Sequence, residues 1–227
     1  MQNKSLHLDV NEQIECAHTL ASRFYIDPSI LEIEKSKLFR STWQLVGTLQ
    51  HACGEVNGVK RTIADPETFF TAEVAGEPIV VVRDKQGTLR AFSNVCRHRA
   101  GPIAQGSGCK TVLRCGYHGW TYTLDGRLIG TPDVEGVEFF DRSTMGMVPL
   151  RLETWEEFLF VNFDAQAEPL VAFLGEIPRA SAGISVKWIA FCGAPRLRDQ
   201  LQLEGVRRQL SGGLPHSDRA SRSDARD

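Results

Sequence analysis

Four residues in this chain have types and spacing that suit metal chemistry. They are Cys96 and His98 in NVCRHRAG, and Cys115 and His118 in RCGYHGW. The pattern is Cys-x-His, sixteen intervening residues, then Cys-x-x-His. Two short loops, each giving one thiolate and one imidazole, allow both thiolates to bind one iron of a [2Fe–2S] cluster and both imidazoles the other. Exchanging two thiolates for neutral imidazoles removes negative charge and raises the potential above that of an all-cysteine cluster. The glycines between these ligands fit the same purpose. Gly116 and Gly119 are expected to permit tight turns and to let backbone N–H groups approach the sulfurs. Trp120 is expected to add apolar cover on one side. Zinc is the competing assignment, but zinc knuckles usually space their ligands by about two to four residues, not as Cys-x-His.

The remaining candidates are weaker. Cys16, Cys53, Cys109 and Cys192 lack ligand spacing and read as small buried or surface residues. His7, His18 and His51 lack partners in sequence and read as surface or core histidines. Arg97 and Arg99 flank His98 and suit either the cluster's surroundings and a redox partner or plain solvent exposure. Apolar residues make up 42% and charged residues 24% of 227, and the net charge is −2. That balance fits a soluble globular protein and gives no reason to expect nucleic acid or an anionic membrane as partner. The N-terminal residues lack a basic start followed by an apolar core, and no apolar run reaches the length of a membrane span. A cytoplasmic protein with reduced thiols is expected.

The elements that must hold the four ligands are short strands. Asp27 suits a helix N-cap and Pro28 the first helical position, with Ile30, Leu31 and Leu38 at roughly helical spacing behind them. From Trp43 the texture becomes β-rich: WQLVG, PIVVVRD, TLRAFSNV, TVLRCGYHGW and FLFVNF. KQG reads as a hairpin loop, and Asp125-Gly126 as a type I′ turn with positive φ at both positions. Such a pattern predicts a small antiparallel barrel or sandwich. Strand signals weaken near Pro169. From about Pro195 the chain turns rich in Arg, Ser and Asp.

CRHR…CGYHGWTYTLDGRLIG is similar to the Rieske domain of ring-hydroxylating and related oxygenase α-subunits. It lacks the extra paired cysteines of respiratory-chain Rieske proteins. SRFYIDPSILEIEKSKLFRSTWQLVG resembles the N-terminal arm of the same subunits, and the likeness covers about residues 20–190. The resemblance implies a mainly β fold: a helical arm over 1–42, a Rieske-type antiparallel β-domain over 43–163, and the start of an α+β catalytic domain over 164–190. It implies hydroxylation of an organic substrate with O₂ and electrons from a ferredoxin or flavin reductase. It also implies homo-oligomers, doubtful for a chain with an incomplete catalytic domain, and a second, mononuclear Fe(II) site held by two histidines and a carboxylate. A stand-alone electron carrier is the alternative, and a zinc-stabilised binding module a third reading.

The second iron site should open with a motif resembling NWKxxxxNYxExYHxxxxH, which the written sequence lacks. Gln202-Leu203-Glu204-Gly205-Val206, back-translated as CAA-CTG-GAA-GGT-GTA and read one base out of frame, yields Asn-Trp-Lys-Val-Tyr. Continued to Asp227, the shifted frame can read NWKVYADNYLEGYHIPTVHPGLMRE, which contains that motif. Only the middle base of each shifted codon is free, so each position offers few residues. Residues 191–227 are therefore expected to be an aberrant, disordered tail after a frameshift between about Ile184 and Leu197, rather than a native polar tail. On this reading His216 is no iron ligand, and the chain alone is inactive in hydroxylation.

Overall fold

The computed structural model describes residues 11–182, apart from positions 12, 133 and 135. The chain divides into two units, 1–186 and 187–227, and every described residue belongs to the first. The expectations for the tail, with His216, Cys192 and the shifted motif, lie outside the described residues, as does His7.

The fold is mainly β and antiparallel, as the strand pattern predicts. A seven-stranded sheet has the order β1-β12-β11-β6-β5-β4-β7, from β1 (Gln44–Thr48), β12 (Phe158–Asn162), β11 (Pro149–Trp155), β6 (Leu89–Ser93), β5 (Glu77–Arg83), β4 (Thr68–Val74) and β7 (Ser107–Cys109). A second sheet joins β10 (Leu128–Gly130), β9 (Thr121–Thr123) and β8 (Val112–Arg114), while β2 (Ala52–Val56) pairs with β3 (Val59–Thr62).

The apolar run PIVVVR has a direct structural cause. Phe69, Val80, Val82 and Phe92 face one core, which also contains Cys96, Cys115, Trp120 and Tyr122. Phe70, Ile79, Val81 and Ala91 face another, shared with Ile63, Leu159 and Val161. With a core on each side, β5 cannot alternate apolar with polar residues, and its centre is buried throughout. One of those cores is the floor on which the ligand loops sit.

The helical arm forms where expected but buries little. The Asp27 carboxylate accepts from the Ser29 amide at 2.9 Å and α2 runs Pro28–Glu34, after the short α1 (Arg23–Ile26). A π-helical turn, Lys35–Phe39, continues it. Leu31 and Leu38 are about half exposed, so their helical spacing does not mark a face packed on this domain. Beyond β12, α3 (Leu170–Leu174) packs through Leu170 and Leu174 on Trp43, and α4 (Ile177–Ala180) follows. The Glu153 carboxylate caps α3 by accepting from the Leu170 amide at 2.8 Å, and the Trp43 indole donates to the Glu168 carbonyl at 2.9 Å.

The turns correct one expectation. Of Asp125 and Gly126, only Gly126 has positive φ, at 92°. The loop is a turn from Thr123 to Gly126 closed by a left-handed glycine, with the Thr123 amide donating to the Arg127 carbonyl at 2.9 Å. The KQG hairpin uses the same geometry: Asp84 N–H to Thr88 O at 3.0 Å, with Gly87 at φ 82°. Positive φ at both central positions occurs instead at Asn57-Gly58 and Ala75-Gly76. These two-residue loops join β2 to β3 and β4 to β5, where a type I′ turn matches strand twist.

Candidate metal centre

The two ligand loops share one backbone frame. In the first, Cys96 N–H donates to Gly101 O at 2.8 Å and Ala100 N–H to Cys96 O at 3.0 Å. In the second, Cys115 N–H donates to Trp120 O at 2.8 Å and Gly119 N–H to Cys115 O at 3.0 Å. The fifth residue of each loop is left-handed, Ala100 at φ 57° and Gly119 at φ 74°. The histidine is the third residue of one loop and the fourth of the other. Equivalent frames with staggered histidines let two similar loops contribute similar donors from different heights.

Below the first loop, the buried Asn94 amide donates to Ala104 O at 2.9 Å while its carbonyl accepts from the Ile103 and Ala104 amides at 3.2 and 2.9 Å. These bonds close the base of the loop.

The donors then sort by type. Cys96 and Cys115 are buried, at 3% and 2% exposure, whereas His98 is exposed and His118 partly so. The two imidazole centroids lie 4.6 Å apart at an interplanar angle of 71°. Trp120 stacks on His98 at 4.9 Å and 6°, which is the apolar cover expected of it, and Tyr117 lies on His118 at 3.9 Å. Partial desolvation, then the charges of His118 and Arg99, hold the His98 imidazole below its ordinary pKa, favouring the neutral form that binds metal.

Two thiols and two imidazoles on a pair of equivalent loops fit a mixed-ligand cluster, which takes two protein ligands per iron. Two further observations match a bulky sulfur-rich group. A Cβ on Gly101 would meet Tyr117 at 3.2 Å and Cys115 Sγ at 3.5 Å, so the first loop passes within ordinary contact of that sulfur. Among the described residues the buried Trp120 Nε1 has no hydrogen-bond partner.

Some expectations shift. Gly119 has the positive φ expected of a tight turn, but Gly116 does not, and a Cβ there would meet nothing within 4 Å. Gly101, the sixth residue of the first loop, lies beside the second loop. Sequence reasoning also missed Tyr122. Its buried hydroxyl lies 3.3 Å from Cys96 Sγ and accepts from the Arg97 amide at 3.2 Å. Burial, then the contact with Cys96, pushes its phenol above its ordinary range, so it stays protonated. The only signal in sequence was an inward-facing aromatic in the strand TYT.

The other histidines and cysteines lie elsewhere. His51 stacks on Phe70 at 4.1 Å, His18 is exposed and Cys16 is exposed. Cys53 is buried and its thiol is pushed up to about 11, by burial and then by Cys109. Cys109 lies on the neighbouring strand, its Sγ 3.5 Å from the Cys53 carbonyl.

A family model described as the Rieske [2Fe-2S] domain matches residues 56–141, the segment that holds both loops. The chain carries a Rieske domain. It is 38% identical to the carnitine monooxygenase oxygenase subunit of Acinetobacter baumannii over 154 residues, 67% of this chain and 38% of that one. Choline monooxygenase of Arabidopsis thaliana is 36% identical over 152 residues, 67% of this chain and 33% of that one. Among solved structures, a quaternary ammonium Rieske monooxygenase superposes with a TM-score of 0.65 at 34% identity, over 73% of this chain and 43% of that chain. The Rieske domain is homologous to those of these oxygenases, which implies a [2Fe–2S] cluster. The chain spans well under half the length of each relative. Among the described residues no helix is long and apolar enough to cross a membrane.

Proposed function

We propose that Cys96 and Cys115 hold one iron and His98 and His118 the other iron of a [2Fe–2S] cluster, and that the chain is the electron-entry portion of a Rieske-type oxygenase α-subunit. The observation that carries this reading is the pair of equivalent loops, with two buried thiols behind two facing imidazoles. When bound, the cluster supplies one-electron transfer. The chain's own residues shape that step. The buried positions of Cys96 and Cys115 keep water from the sulfurs, Tyr122 contacts Cys96 Sγ, and the more exposed imidazoles offer a short route to a docked donor. That donor is a ferredoxin or a flavin reductase in a reducing cytoplasm.

The names of the relatives point to quaternary ammonium alcohols and acids as the substrate class of the whole subunit. Residues 43–163 are taken as the cluster domain and 164–190 as the start of the catalytic one. We further infer that a one-base shift separates this chain's tail from the motif for the mononuclear iron. The shifted string with its two histidines and preceding glutamate supports this, and on this reading the polypeptide accepts electrons but does not hydroxylate.

Anaerobic reconstitution of the full chain tests the proposal. The expected product holds two irons and two acid-labile sulfides, shows a Rieske visible spectrum, and consumes no O₂ with carnitine or choline. Stoichiometric zinc without sulfide would overturn the cluster. A third iron with hydroxylated product would overturn the reading of the tail.

A further inference from the structure

Two thiols outside the metal centre meet where the β2–β3 hairpin packs on the edge strand β7. β2 is exposed at every position except Cys53, which is 1% exposed. The hairpin pairing shifts register between Ala52 and Gly54, and Gly54 has φ 99°. Cys53 is thus the extra residue of a bulge, a device that re-aims a side chain. Here the bulge turns the thiol inward, to the His51 carbonyl at 3.5 Å and to the side chain of the buried Thr68.

Thr68 stands directly opposite Cys109 in the β4–β7 ladder. Opposed residues of an antiparallel pair project to the same face, so Cys109 shares a face with the group that Cys53 touches. The Cys109 thiol reaches Cys53 itself and donates to its carbonyl at 3.5 Å, although the two residues are 56 apart in sequence. The two differ in access. Cys53 is enclosed, whereas Cys109 is partly exposed on the edge strand. A buried, protonated thiol is inert toward outside reagents, and an accessible neighbour is what brings it into reaction.

We propose that Cys53 and Cys109 form a reversible disulfide, with Cys109 meeting the oxidant and Cys53 resolving behind it. The oxidant is a small disulfide of the glutathione class. Cys109, as thiolate, attacks one sulfur of that disulfide. The small S–S bond breaks, a mixed disulfide forms on Cys109, and the departing thiolate takes up the proton that Cys109 lost. Cys53, as thiolate, then attacks the Cys109 sulfur. The mixed disulfide breaks, and the second small thiolate leaves with the Cys53 proton. Two protein thiols are oxidised, and one small disulfide is reduced to two thiols. Rotation of the two side chains closes the bond, since one sulfur already lies against the other residue's backbone. The bond ties the hairpin to β7, which runs on into β8 and the second ligand loop. It also closes a long loop, which restricts the unfolded chain.

The test uses the full chain after anaerobic cluster reconstitution. The protein is incubated with glutathione disulfide, its free thiols are alkylated, and a tryptic digest is read by mass spectrometry without reduction. Cleavage after Arg40, Lys60, Arg99 and Lys110 places Cys53 in the peptide 41–60 and Cys109 in 100–110, each without another cysteine. A species joining these two, two hydrogens lighter than their sum, is expected to appear and to vanish with dithiothreitol. The oxidised parent is expected to melt at least about 4 °C above the reduced parent, and Cys109→Ser to lose both the bridge and the rise. The peptide map of the parent stands by itself if that variant does not fold. Alkylation of both cysteines after the incubation overturns the proposal. So does glutathione retained on Cys109 beside a free Cys53, or a bridge from 41–60 to any other cysteine. The map does not depend on iron, so a chain that forms this bridge but shows no Rieske spectrum upholds the disulfide and sinks only the cluster reading.

Discussion

Tyr122 shows how one side chain sets the chemistry of the loops around it. Its oxygen accepts the Arg97 amide proton, so its own proton is free to point at Cys96 Sγ, 3.3 Å away. On the proposed assignment Cys96 holds the cluster as a thiolate, so Tyr122 is the donor; such a bond stabilises the extra negative charge of the reduced state and raises the potential. Tyr122→Phe removes the donor and keeps the ring in its buried slot. The midpoint potential is expected to fall by tens of millivolts, where about 59 mV is a tenfold change for one electron. The Arg97 amide also loses its acceptor, which costs on the order of 1–2 kcal/mol in stability. Redox titration of parent and variant decides it, and an unchanged potential removes Tyr122 from the cluster's surroundings. At this scale the four candidate ligands were conspicuous because cysteine and histidine at close spacing have few other uses. Tyr122, Gly101 and Asn94 were not, since each matters only through what the fold brings beside it.

Among the elements, the hairpins hold the loops in place, and two glycines separate conformation from packing. Gly87 and Gly126 sit in matching turns at φ 82° and 92°. A Cβ on Gly87 meets nothing within 4 Å, but on Gly126 it would stand 2.6 Å from the Phe92 ring. Gly87→Ala should therefore cost only the left-handed conformation, about 1–2 kcal/mol. Gly126→Ala adds overpacking against a buried ring, typically a further ~1–3 kcal/mol. Chemical denaturation of both variants should show Gly126→Ala to be clearly the worse, and equal losses would mean that Phe92 yields freely. The turns also show where sequence reading erred. Asp-Gly is compatible with two loop types, and strand register, not the dipeptide, selects between them. Asn57-Gly58 carried the two-residue signal, but its flanking strands are mostly exposed and too weakly patterned to draw attention.

For the whole molecule, a mainly β fold was legible because short strands and turn residues alternate from Trp43 onward. The double core was not, because a continuous apolar run such as PIVVVR does not say how many layers it serves. Neither was the place of His51, which has no sequence partner but packs on Phe70 in the second core. That position makes stability depend on pH. Burial lowers the His51 pKa from 6.5, so the folded state holds the imidazole neutral while the unfolded chain still takes up a proton. With more protons bound in the unfolded state, stability rises with pH across this window. The contribution is complete above about pH 6.5 and is lost as pH falls from there toward the folded value. The carboxylates follow at lower pH. Asp125, held down first by its bond to Thr123, and Asp141, by Ser143, contribute above their ordinary range near 3.8 and lose that contribution as pH falls through their folded values. His51→Gln removes the first of these steps and leaves the second. The melting temperature of the parent relative to His51→Gln should thus be higher at pH 7.5 than at pH 5. A difference that stays constant across that range would show that His51 is as hydrated in the fold as outside it.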